Sequence, residues 1–70
     1  MTMTNRPPQA EVETRTRILN AALKLFAKQG YDGTTTRDLA ERAGVAEGTL
    51  FRHFANKKAI LIRYLAVIYR

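Results

Sequence analysis

Residues 35–56 read TTRDLAERAGVAEGTLFRHFAN, and the fold turns on this stretch. Thr35 followed three residues later by Asp38 has the form of a capping box. In such a box the hydroxyl accepts from a backbone N–H and the carboxylate reaches back to the cap. This predicts a short helix over about residues 36–43, with Leu39, Ala40 and Ala43 turned inward. Gly44 ends it and Val45 turns in behind. A second short helix fits from residue 46 or 47 to His53, anchored by Leu50 and Phe54. Two short helices joined by a brief glycine-containing turn make the helix-turn-helix layout, in which the first element holds the second at an angle and leaves it protruding.

The flanking sequence agrees with an all-helical domain. Ile18, Leu19, Ala22, Leu23, Leu25 and Phe26 recur at i, i+3, i+4 and i+7, which predicts a long helix over residues 11–29. Gly30 supplies the left-handed residue that stops it, and Tyr31 is placed to fold back on Phe26. Residues 32–35 form a loop. Asn56 caps a fourth helix that starts at Lys57 and runs toward residue 70. Residues 1–10, with Pro7 and Pro8, form a flexible arm, and Arg6 in it is a candidate for the nucleic-acid backbone or minor groove. The expected architecture is a three-helix bundle over residues 11–56 with the start of a fourth, connecting helix over 57–70.

Composition narrows the chemistry. Seventy residues make one small domain, with a core of about 3–5 kcal/mol and no room for a deep pocket. There are no cysteines, which removes disulfides, thiolate nucleophiles and Cys-based zinc sites together. His53 is the only histidine and stands apart from any carboxylate cluster, so no catalytic set or metal site is expected, and no cofactor. No apolar h-region opens the chain and no run long enough to span a membrane occurs. The net charge is +6 and uneven: residues 1–47 carry seven cations against all six acids, while residues 48–70 carry five cations and none. Such a balance suits a polyanionic partner, although a basic surface also serves solubility alone.

The third predicted helix carries the sharpest clue. With Leu50 and Phe54 inward, Glu47, Gly48, Phe51 and Arg52 face out, and Thr49 and His53 lie at the margins. An aromatic edge beside an arginine suits DNA, where one touches a thymine methyl and the other pairs with guanine. The plainer alternative makes Phe51 a third core residue. Gly48 is costly inside a helix, by about 1 kcal/mol against Ala. Close approach to DNA would explain it, as would a position near the helix end.

Residues 15–61, RTRILNAALKLFAKQGYDGTTTRDLAERAGVAEGTLFRHFANKKAIL, resemble the N-terminal domain of the TetR family of transcription regulators. The carrying pieces are F-x-x-x-G-Y, T-T-x-x-x-L-A-x-x-A-G-V and G-T-L-aromatic-x-H-F-x-N-K, in that order. The resemblance implies a homeodomain-like DNA-binding domain of a ligand-responsive, usually repressing, cytoplasmic regulator. It also implies a palindromic double-stranded operator, a homodimer made through a C-terminal domain absent from this stretch, and a small-molecule inducer held by that domain. By position, Thr36 and Arg37 match contacts at the start of the second helix. Glu47, Gly48, Thr49, Phe51, Arg52 and His53 match the recognition helix, and Lys57 matches a phosphate-contacting lysine. In this assignment Thr36, Arg37, His53 and Lys57 hold phosphates while Glu47, Thr49, Phe51 and Arg52 read the groove. Three positions depart from the family pattern: Phe51 replaces the usual Tyr, Ala46 the usual capping Ser, and Lys58 a frequent acid.

The fourth helix is apolar nearly all round, from Ile60 to Tyr69, interrupted by Arg63. Such a helix calls for burial on every side, which a domain of this size cannot supply. Residues beyond about 62 are therefore expected to pack on the missing domain. The rival reading is a protein-interaction module that docks through this helix, its basic charge incidental; a membrane-surface helix is a further alternative.

Overall fold

The computed structural model describes residues 8–69, with side chains from Ala10 on. Its elements are all helices: α1 (Pro8–Gln29), α2 (Thr36–Ala43), α3 (Glu47–His53) and α4 (Lys57–Ile68). Three of the four starts coincide with the sequence signals. α1 begins three residues earlier than its apolar periodicity, at Pro8, whose fixed φ and missing N–H suit a first helical position. Most of the expected arm, Arg6 included, falls on residues 1–7, outside the described residues.

Each helix end is closed by local chemistry. Gly30 sits at φ 81° and donates its N–H to the Phe26 carbonyl at 2.8 Å, ending α1. The Phe26 and Tyr31 rings then meet with centroids 5.3 Å apart. The Thr34 hydroxyl, fully buried, donates to the Gly30 carbonyl at 2.7 Å and lies 3.3 Å from that of Leu25. It binds the loop to the end of α1, a role that the sequence reading missed. At the α2 start both halves of the capping box are made, Asp38 N–H to Thr35 Oγ1 at 3.0 Å and Thr35 N–H to Asp38 Oδ2 at 3.1 Å. At its end Gly44, at φ 75°, donates to Glu41, and Val45 donates to Ala40 at 3.0 Å. This paired closure requires the left-handed residue that glycine supplies at little cost.

Every helix contributes to the core. Ile18, Ala21, Ala22 and Leu25 come from α1, Leu39, Ala40 and Ala43 from α2, Leu50 from α3, and Ile60 from α4, with Phe54 filling the α3–α4 turn. Leu19, Phe26 and Val45 pack around them, half-buried. Leu23, expected in the inward stripe, is exposed, and Ala21 occupies the inward face instead. The apolar stripe of α1 is thus narrower than counted, with one edge made of small residues that let α2 approach closely. α1 packs chiefly on α2 and also on α4, while α3 leans on α2.

Candidate nucleic-acid interface

The surface built by the starts of α2 and α3 is polar, exposed and held by one side-chain bond. Thr36 opens α2 and Glu47 opens α3, eleven positions later, and the Thr36 hydroxyl donates to Glu47 Oε2 at 3.2 Å. That bond brings two of the sequence-predicted site residues together across the turn. Arg37, Glu47, Gly48, Phe51 and Arg52 are exposed around it, and Thr36 and Thr49 are half-buried. Phe51 keeps 45% of its surface in water, so it is not a third core residue. A Cβ built on Gly48 would meet no atom of this chain, so nothing inside the domain demands glycine there.

Asp38 lies behind this surface. The Thr35 backbone N–H holds its carboxyl below the ordinary value of 3.8, and the Thr35 hydroxyl, the Gln29 amide and the Arg37 guanidinium act in the same direction. The carboxylate therefore stays ionised in mildly acidic solution and keeps the start of α2 fixed.

Two predicted residues are placed differently from the rest. The His53 side chain is only 5% exposed and turns toward α1, its Nε2 lying 3.8 Å from Glu11 Oε1. The expectation that it lies on the outer margin is corrected: its ring turns inward, beside the first turns of α1. Its spacing carried the signal, since His53 follows the buried Leu50 by three and shares its face of the helix. Lys57 is half-buried, and its ammonium donates to the Tyr31 carbonyl at 2.7 Å while sitting 4.1 Å from the centroid of the Tyr31 ring. It pins the start of α4 to the end of α1, a tie over 26 positions that the sequence reading did not foresee. The ammonium has three N–H donors, so two are left over for other partners.

α3 begins without a side-chain cap, as Ala46 predicts, whereas α4 is capped by Asn56, whose Oδ1 accepts from Ala59 N–H at 2.8 Å. Lys58 is exposed beside that start. Among the described residues no three His, Asp or Glu side chains group as metal ligands do, and no helix is long and apolar enough to cross a membrane.

With this geometry in place, residues 18–64 match the model of the bacterial regulatory proteins of the tetR family. The chain belongs to the TetR family. The matched stretch contains the whole of α2 and α3, the two short helices joined by the turn at Gly44. Among its relatives is the repressor KstR of Rhodococcus jostii, 49% identical over 57 residues, which are 81% of this chain and 27% of that protein. A second is the uncharacterized regulator YvkB of Bacillus subtilis, 50% identical over 48 residues, 69% of this chain and 25% of the relative. A third is the class A tetracycline repressor of Escherichia coli, 52% identical over 44 residues, 63% of this chain and 20% of the repressor. The TetR-type domain spans about a quarter of the length of the curated relatives it matches.

Proposed function

We propose that this domain binds a two-fold-related operator in double-stranded DNA, as part of a homodimeric, ligand-responsive repressor acting in the cytoplasm. One observation carries the reading: the first residues of α2 and the outer face of α3 form one continuous surface, tied by the Thr36–Glu47 bond. α3 enters the major groove. Phe51 lies against sugar or thymine methyl, Arg52 pairs with guanine, and Thr49 touches a base edge. Around it, Arg37 and the N–H groups opening α2 hold one phosphate, and the spare donors of Lys57 hold another. The open space over Gly48 lets the DNA backbone or a base come close to the helix. His53 supports the surface from behind without touching DNA.

The repressing sign is supported by relatives named as repressors. The dimer and the inducer are assigned to the rest of a longer protein. The seat for it is the second half of α4 and its C-terminal cap, where Ile62, Leu65, Val67, Ile68 and Tyr69 are exposed in this chain. This accounts for the apolar helix without a separate docking function.

The test is selection of bound duplexes from a random DNA pool at low salt, with this chain alone and fused to a dimerising coiled coil. A two-fold-related motif enriched by the fusion, and its half-site by the chain alone, is the expected result. Salt-sensitive binding with no enriched motif would reduce the domain to a non-specific polycation.

A further inference from the structure

We propose that Glu47 selects a cytosine in the bound duplex and that Thr36 is the positioning residue that aims it; the inference rests on the DNA reading above. Glu47 is the one acid on α3, and no acid follows it in the chain. It is exposed at the leading turn of the helix that enters the groove. A carboxylate there is repelled by the phosphates unless a donor on a base meets it, because an ionised carboxylate only accepts hydrogen bonds.

The bases offer one good match. In the major groove guanine shows two acceptors, and thymine an acceptor and a methyl group. Adenine shows an amine beside an acceptor, and cytosine an amine with no acceptor of its own beside it. Only cytosine gives a carboxylate a donor without placing a lone pair of the same base against it. The structure also sets the stoichiometry. Oε2 takes the Thr36 hydroxyl at 3.2 Å, and Oε1 has no partner among the described residues. One oxygen is therefore left for the one free N–H of a paired cytosine amine.

The Thr36 bond limits where that oxygen can go. A free glutamate side chain has three rotatable bonds and could turn to several bases. Held from α2, it presents one oxygen at one place relative to the turn. Thr36 thus acts on specificity through Glu47, and its hydroxyl proton is committed to the carboxylate rather than to a phosphate.

The experiment measures affinities for the enriched duplex and for versions with each base pair varied in turn. It uses the wild-type chain, Glu47→Gln, Thr36→Val and Thr36→Ser, each checked for unchanged helicity by circular dichroism. Wild type should prefer cytosine at one position by about tenfold. Glu47→Gln should move the preference at that same position to adenine, since an amide both donates and accepts. Thr36→Val, of similar shape but unable to donate, should cut the cytosine preference severalfold there and leave preferences at other base pairs alone; Thr36→Ser should restore it. If Glu47→Gln changes no position, the cytosine assignment is overturned. If Thr36→Val weakens every duplex equally, its hydroxyl is a phosphate anchor and the positioning role is overturned. A wild-type chain that enriches no motif overturns the DNA reading itself, and this inference with it.

Discussion

α2 and α3 are nearly equal in length, eight and seven residues, and are held in opposite ways. α2 has a complete capping box at its start, a left-handed glycine closure at its end and three buried side chains. α3 has no side-chain cap and one fully buried residue, Leu50. A helix this short is unstable alone, so its ends and its packing decide whether it forms. α2 takes support from both; α3 takes it from tertiary contacts, namely Leu50, the His53 side chain against α1 and the Thr36–Glu47 bond. The difference matches the division of labour. α2 is closed off chemically, and α3, the helix proposed to read DNA, keeps most of its outer face exposed.

The comparison can be broken most directly at Leu50. Leu50→Ala removes the only fully buried anchor of α3 and should cost about 2–5 kcal/mol. That is comparable to the whole stability of a domain this size. Thermal unfolding followed by circular dichroism should lose its cooperative transition or shift far down. A fall of only a degree or two would mean that α3 is held mainly by its polar contacts.

Thr35→Ala tests the other helix. Loss of the cap should lower stability by about 1 kcal/mol, a shift of about 4–8 °C in Tm. The cap also gives a pH signature. The folded-state pKa of Asp38 lies below its ordinary value of 3.8, so its contribution is fully present above that value. It is lost as pH falls through the lowered native value. Asp38→Asn should remove this step, which denaturant melts of the two proteins between neutral pH and strong acid would reveal. Identical pH dependence in both would show that the carboxylate of the capping box adds nothing.

The smallest effect, and the one that separates folding from reading, is expected at Gly48. Because a Cβ there meets nothing in the chain, Gly48→Ala should stabilise the domain by about 0.5–1 kcal/mol. DNA affinity should nevertheless fall, because the added methyl fills the space left for the duplex. A variant that gains stability and binds undiminished would remove Gly48 from the interface.

The elements legible in the sequence were those governed by neighbours along the chain. Thr35 with Asp38, Gly44, Asn56 and Gly30 each close a helix with partners a few residues away, so their spacing suffices. The spacing of Leu50 and Phe54 located the outer face of α3 on the same stretch. What escaped needed three dimensions. Thr34 is buried because the loop returns over the end of α1, and Lys57 meets Tyr31 because α4 starts beside that loop. Leu23 was counted inward although the face that α2 covers is set by Ala21 and Ala22. His53 was placed at the margin of the outer face, although its distance of three from the buried Leu50 puts it on the inner side. The Thr36–Glu47 bond depends on the angle between two helices, which no local rule supplies.

α1 reaches the junction between α3 and α4 from both of its ends. Near its start Glu11 lies beside His53, and just past its end Tyr31 receives the Lys57 ammonium. Those two anchor points are four residues apart, with Phe54 buried between them, while α1 has 22 residues, a length of about 33 Å. One residue added to α1 would turn its two ends about 100° out of phase, and one added to the junction would slacken both attachments. The length of α1 therefore sets which faces its two ends turn toward His53 and Lys57.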